Sequence, residues 1–289
     1  MELLAALARH KHFARAAAEC GISQPAFSAR IRNLEAALGA PIVKRGNRFM
    51  GFTNEGDIAV RWAHVISADA RGLEQEIAET RGALGGNLAI GAVPTALTYT
   101  ASIAAKLQQS HPDISVQVYS RSAGEIAQGI QDFALDVGMT YAESAMPAAS
   151  RSETIFEERY ELLLPRAMAP SGASEISWEA AAAFPLCLLT RNMQNRKIVD
   201  EAFAAVSAEP KLVMETNSFI AALLQVRDGS AGTIAPEILS ATFGGPFEMA
   251  RLRLISPEIV KPIAMVIADR DPVLPAVNAL RRLARETPR

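Results

Sequence analysis

The stretch FARAAAECGISQPAFSARIRNLEAALG, residues 13–39, decides how the amino-terminal end of this chain folds. It predicts two short helices joined by a three-residue turn. Ala16, Ala17 and Ala18 let a second helix approach closely, and Cys20-Gly21-Ile22 supplies the break. Ser23 suits the cap of the second helix and Pro25 its first turn, where a missing N–H costs nothing. Phe27, Ile31, Leu34 and Leu38 recur at i, i+4, i+7 and i+11, one narrow face that is expected to be buried. The opposite side carries Pro25, Ser28 and Arg32, flanked by Gln24 and Arg30. Those are the small, hydrogen-bonding and cationic groups that reading a major groove requires. An ordinary amphipathic pair with its polar side in water would show the same spacing, and charge separates the two readings. Residues 1–52 hold 8 Lys and Arg against 3 Asp and Glu, a net +5 in a chain whose total is −2. A basic head on an acidic body turns the head toward phosphate.

Working outward, Pro41-Ile42-Val43 and Phe49-Met50-Gly51-Phe52 bracket Lys44-Arg45-Gly46-Asn47-Arg48, which predicts a small β-hairpin with a basic tip. Such a wing would set Arg45 or Arg48 against the DNA backbone or in the minor groove; a solvated turn is the alternative. Thr53 then caps a long helical pattern with no proline from 54 to 93. Ala59, Trp62, Ala63, Ile66, Ala70, Leu73 and Ile77 form one apolar stripe along it. A helix of about 28 residues, roughly 42 Å long, outruns a head of this size and is expected to pack on a second copy of itself. Trp62 in that seam reads as packing.

Together Phe13, Ala16-Ala17, Ile22 to Ser28, Ile31 to Glu35, Leu38-Gly39, Pro41, Arg45 and Thr53-x-x-Gly56 resemble the DNA-binding head and linker helix of LysR-type transcriptional regulators. The resemblance implies that Gln24, Pro25 and Ser28 face the bases and that Thr53 and the wing arginines face phosphates. His12 and Ala14 stand where that family usually has a Ser and a Thr, and Ala29 replaces a common arginine, a loss that Arg30 and Arg32 can offset.

Beyond Gly82 and Gly85-Gly86 the texture changes. The uncharged run 88–105 has the length of a membrane span, yet Gly91, Pro94, Thr95, Thr98, Thr100 and Ser102 favour a strand, a turn and a helix. Strands at 88–92, 114–119 and 134–140 alternate with helices at 98–109 and 124–131, which predicts a parallel sheet. Further strands at 155–164, 186–189, 212–215, 232–235, 251–255 and 261–268, with helices after Trp178, at 195–206, at 219–228 and from Pro272, complete two α/β lobes. The family likeness continues in Gly91 to Thr95, His111-Pro112-Asp113, Leu135 to Gly138, Phe184-Pro185-Leu186 and Gly232 to Pro236. It implies a periplasmic-binding-protein-like body with a ligand cleft between its lobes.

The expected organisation is therefore α/β with an α-rich head: a winged helix-turn-helix over 1–52, a linker helix over 53–85 and an effector domain over 86–289. Lobe I would take about 86–157 and 266–289, and lobe II about 158–265. Loops after strands and at helix entrances offer N–H donors to an anion. On that ground Pro94, Thr95 and Ser122 of one lobe and Thr190, Arg191, Asn192, Asn217 and Ser218 of the other are candidate effector contacts. Thr95 and Ser218 would equally serve as helix caps, Arg191 as a surface ion pair and Asn217 as a turn residue. Arg121 and Arg191 suggest a carboxylate or small oxyanion, because guanidinium forks match such groups. Met139 and Met193 suit either an adaptable wall or simple core.

The chain carries no phosphate-loop, dinucleotide, zinc-protease or nucleophile-elbow motif. Three of its four histidines lie in the head and linker, and Cys20 and Cys187 fall in different domains, which speaks against a metal site or a disulfide. No cofactor is expected. The expectation is a cytoplasmic, non-enzymatic regulator with no membrane segment, binding double-stranded operator DNA as a homodimer through the linker helix. The family resemblance extends that assembly to a homotetramer. Two alternatives stay open: an enzyme or solute-binding body with an amino-terminal assembly module, and a constitutive regulator with a vestigial cleft.

Overall fold

The computed structural model describes residues 1–44, 46, 49–243, 245 and 248–286. The head is built from α1 (Glu2–His10), α2 (Phe13–Glu19) and α3 (Gln24–Leu38). Ala16 and Ala17 are fully buried, so α1 and α2 pack closely over Phe27 and Ile31. Phe13 meets Phe27 edge-on at 6.1 Å, and Phe49 closes the cluster from the wing side. His12 takes the N-cap of α2, accepting from the Arg15 amide at 3.5 Å. At the other end of α3, Gly39 adopts φ 67°, the left-handed turn that ends the helix.

The expected buried face of α3 is only partly buried. Phe27 and Ile31 are in the core and Leu34 is half-buried, but Leu38 is 52% exposed because the last turn runs past the three-helix core. Among the described residues the expected hairpin shows an antiparallel bridge, Val43 to Phe52, backed by the Lys44 amide bonding Gly51 O at 3.0 Å. Its tip residues Arg45, Asn47 and Arg48 lie outside the described residues. Glu35 holds this wing to α3, its carboxylate accepting from the Ile42 and Val43 amides at 2.8 and 3.1 Å.

Helix α4 (Asn54–Glu79) follows at once, about 39 Å long at 1.5 Å per residue. Its start is pinned by Gly56, where an added Cβ would sit 2.0 Å from the Ile42 carbonyl oxygen. One side of α4 packs on the head through Ala63, with Ala59 and Val60. Another side packs on the body: Arg71 donates to Asp136 at 2.9 Å, Gln75 accepts from the Ala276 amide at 3.2 Å, and Arg270 reaches Asp69 at 2.6 Å. His64 approaches the Asp132 carbonyl at 2.8 Å, and burial holds its pKa below the usual histidine range. As a neutral ring it must donate from Nδ1 there. The remaining apolar face, with Trp62 at 59% and Leu73 at 62%, stands open in the single chain.

The body begins with β1 (Gly86–Ala92), then α5 (Leu97–Ser110), β2 (Ile114–Ser120), α6 (Ala123–Gln131) and β3 (Val137–Tyr141). β1 pairs in parallel with both β2 and β3. The sheet is nonetheless mixed, because the 16-residue β4 (Ser150–Pro165) and the returning β10 (Val260–Ala268) run antiparallel at its other side. From Tyr160 on, β4 enters the second lobe and pairs with β8 (Thr233–Pro236) and β9 (Met249–Ile255). That lobe also holds β5 (Glu175–Ser177), α7 (Trp178–Ala181), β6 (Pro185–Leu189), α8 (Gln194–Ala205), β7 (Lys211–Thr216), α9 (Phe219–Arg227) and α10 (Glu237–Phe243). Helix α11 (Pro275–Glu286) returns to the first lobe, where the Tyr99 hydroxyl bonds the Ala284 carbonyl at 2.9 Å. β10 joins the first sheet from Val260, so the chain crosses back earlier than the expected 266.

Candidate functional site

On the head, α3 presents Gln24, Pro25, Arg30 and Arg32 to solvent, with Ser28 half-exposed beside them. The Ser23 hydroxyl caps the helix through the Ala26 amide at 3.4 Å, and Gln24 Nε2 donates to Ser28 Oγ at 3.4 Å. The polar face is thus held in order by the helix itself. Thr53 is tied down at both ends, its hydroxyl donating to Pro41 O at 2.6 Å and accepting from the Gly56 amide at 2.9 Å. Its proton is not available to a phosphate, which leaves Thr53 a positioning role at the junction of wing and linker.

Between the lobes lies a cleft of about 240 Å³. The turn after β1 brings Pro94 and Thr95 to it, and the turn after β2 brings Ser122 with Arg121 and Glu125. Lobe II contributes Asn192, Met193 and Asn195 at the entrance of α8, and Asn217 before α9. Five of the expected contacts therefore converge: Pro94, Thr95, Ser122, Asn192 and Asn217. Thr190, Arg191 and Ser218 do not line it. Ser218 caps α9 through the Ala221 amide at 3.5 Å, Thr190 bonds backbone-to-backbone with Thr216, and Arg191 is exposed. The buried arginine of this region is Arg196, whose guanidinium is held by Leu189 O at 2.6 Å, Asp200 at 2.7 Å and Glu215 at 2.5 Å. Met193 lines the cleft, whereas Met139 is core.

Two of the converging hydroxyls are already engaged, Ser122 within the cleft wall and Thr95 with groups behind it. Ser122 and Glu125 form a capping box: the hydroxyl donates to the carboxylate at 2.8 Å, the Ser122 amide donates to it at 2.8 Å, and the Glu125 amide returns to Ser122 Oγ at 3.3 Å. Those bonds hold the Glu125 carboxyl below its usual pKa. Thr95 is 3.3 Å from the Tyr141 hydroxyl, which donates to Glu158 Oε1 at 3.2 Å, and Tyr160 donates to the same oxygen at 2.5 Å. Glu158 is 2% exposed, and burial raises its pKa to about 7 against the lowering effect of its hydroxyl neighbours. Its Oε2 and the Asn195 Nδ2 are buried without a hydrogen-bond partner. Glu158, Tyr141 and Asn195 did not emerge as sequence candidates. The signal for Glu158 was present: in β4 it shares the alternate positions of Phe156, Tyr160, Leu162 and Leu164, which form the buried face.

Among the described residues no group of three His, Cys, Asp or Glu is placed to hold a metal, and no helix is long and apolar enough to cross a membrane.

A helix-turn-helix head carried on a long helix and a two-lobed body with a cleft define a one-chain, ligand-responsive DNA-binding regulator. Residues 1–57 match the family described as bacterial regulatory helix-turn-helix protein, lysR family, and residues 81–289 match the LysR substrate binding domain. The chain belongs to the LysR family of transcriptional regulators. It is 24% identical over 269 residues to a probable RuBisCO transcriptional regulator of Trieres chinensis, covering 90% of this chain and 86% of the relative. Its fold is similar to that of a full-length OxyR variant from Pseudomonas aeruginosa, with TM-score 0.75, 22% identity and coverage of 98% and 96% of the two chains. A full-length CbnR structure complexed with target DNA has the same fold, with TM-score 0.68, 20% identity and coverage of 99% and 97%.

Proposed function

We propose that this chain controls transcription by setting α3 of two protomers into successive major-groove faces of operator DNA, with a small acidic metabolite bound between the lobes as the signal. The observation that carries the reading is the outer face of α3, where Gln24, Pro25, Arg30 and Arg32 are exposed and ordered on a head of net charge +5. Ser28 would join Gln24 and Pro25 at the base edges, and the wing arginines Arg45 and Arg48 would meet phosphates. The parts we assign are the head over 1–52, the linker over 53–85 and the effector domain over 86–289, its lobes crossing near 159 and again near 260.

The open stripe of α4, formed by Ile58, Trp62, Ile66, Leu73 and Ile77, supports pairing with a second copy, which would set the spacing of the two α3 helices. The CbnR–DNA complex, alike in fold, supports the docking mode; a tetramer would span and bend a longer site. For the cleft, Arg121, the unpartnered Asn195 Nδ2 and the first turn of α8 are donors that support an acidic ligand. We assign the cleft to sensing rather than turnover, and the protein to the cytoplasm, where its operator would be. Ligand can shift the assembly only by its differential affinity for two shapes. Measuring operator bend angle with and without inducer tests this: a changed angle is expected, and an unchanged angle with unchanged transcription removes the switch. An assembly module in place of a DNA reader would show no operator preference and no steep fall of binding with salt.

A further inference from the structure

From the proton positions behind the cleft we infer that the effector presents a hydrogen-bond donor, a hydroxyl or an ammonium group, to Thr95 and Ser122, so that it is a hydroxylated or amino-bearing small acid and not a bare anion. The inference rests on the acidic-effector reading and adds a second requirement to it. A hydroxyl has one proton. Ser122 Oγ gives its proton to Glu125 at 2.8 Å, so toward the cleft it offers only lone-pair capacity. Tyr141 gives its proton to Glu158 Oε1, which leaves the Tyr141 oxygen as the acceptor of the 3.3 Å contact and Thr95 as its donor. Thr95, a buried residue of the cleft wall, is therefore also left with acceptor capacity only.

With Glu158 ionised the order is fixed, because a carboxylate only accepts and Tyr141, Tyr160 and Thr95 all face it. Oε1 accepts from both Tyr141 and Tyr160, and a proton added to the carboxyl goes to Oε2, the oxygen without a partner. A bare carboxylate placed at this wall would set oxygen lone pairs against oxygen lone pairs, with Glu125 ionised nearby. The opposite wall has the complementary set: Asn195 Nδ2 is a buried donor with nothing to bond, and it lines the cleft together with the Asn192 and Asn217 amides. An acid group fits that side and Arg121, while a donor fits Thr95 and Ser122. A site built to accept a hydrogen bond discriminates strongly against the analogue that lacks the donor, because the site's own polar groups then lose their partner.

The test uses the full chain and matched probes of one skeleton: succinate, L-malate and L-aspartate; propionate, L-lactate and L-alanine; and glycerol as a neutral donor. Binding is read by thermal shift and calorimetry. The expected result is that in a matched set the hydroxyl or ammonium member binds about tenfold tighter or more than the bare acid. Thr95→Val should bring that ratio to within about twofold. A bare acid that binds as tightly as its substituted partners overturns the inference and leaves the acidic-effector reading standing. Glycerol binding where no acid binds supports the donor requirement and removes the acid. Neutron diffraction on the deuterated full chain reads the same claim with no ligand. Deuterons on Thr95 and Ser122 aimed at Tyr141 and Glu125 support it, and a Thr95 deuteron aimed into the cleft overturns it.

Discussion

Single residues set the chemistry at both ends of this molecule. At α3, Arg32 is an exposed cation on the face opposite Phe27 and Ile31, so Arg32→Ala leaves the core intact. Operator affinity should fall by roughly 1–3 kcal/mol with little change in melting temperature, and fluorescence anisotropy at several salt concentrations would measure it. A phosphate contact at this position would also flatten the salt slope by about one unit, whereas a base contact would relax sequence preference instead. At the cleft, Glu158 titrates near 7 in the folded chain against 4.5 for the free group, because burial penalises its charge. The folded state then holds an extra proton between those values, so stability is greatest below about pH 4.5 from this group and is lost as pH rises toward 7. The loss is on the order of a few kcal/mol. Urea titrations from pH 5 to 8 should show it in the native protein and not in Glu158→Gln; an equal slope in both would assign the pH dependence elsewhere. What could be seen of such residues in the sequence depended on their neighbours in the chain. Thr95 and Ser122 were legible because each follows a strand and opens a helix. Asn195 was not, because its value comes from an empty hydrogen-bond position created by tertiary packing, and sequence order does not tell that Arg196, and not Arg191, is the arginine that turns inward.

At the scale of elements, α4 makes three demands on one helix: it holds the head, docks on lobe I and leaves a face open. Periodicity revealed the stripe and its length, but Ala59 and Ala63, read with Trp62 and Leu73, belong to the head contact instead. One 3.6-residue repeat cannot say which of two partners a given alanine meets. The open face gives a direct prediction. Leu73→Glu, on a residue with no core role in the single chain, should shift the protein toward monomer in sedimentation at micromolar concentration and cut operator affinity with it. An unchanged assembly state would assign the stripe another partner. The docked face gives a second. Asp136 is buried, accepting from Arg71 at 2.9 Å and from the Ala89 amide at 2.8 Å, so Arg71→Ala leaves its charge half-compensated. The expected cost is about 1–3 kcal/mol of unfolding free energy, read by chemical denaturation. Of the expected hairpin, the described residues show the antiparallel bridge from Val43 to Phe52, and Ile42, Val43, Phe49 and Phe52 also cover the head core.

For the molecule as a whole, the order of elements made two α/β lobes legible, and the alternation after residue 86 identified β1, β2 and β3 as parallel neighbours. The mixed character of the sheet was not legible, because it depends on β10 running antiparallel to β3 and β4, pairings between segments about a hundred residues apart. Those two strands also explain why a cleft forms where it does: they connect the lobes, and β4 carries Glu158 near the point where it passes from one sheet to the other. The molecule thus links a helix with an exposed polar face, a linker docked on lobe I and a cleft that the same lobe walls on one side. We propose that the basic head reads duplex DNA. The most direct measurement is the affinity of the purified full chain for its own promoter fragment against a random duplex of equal length at moderate salt. A preference of at least about a thousandfold for the promoter is expected, with affinity for both duplexes falling as ionic strength rises; equal affinity for the two duplexes would show that the head does not read sequence.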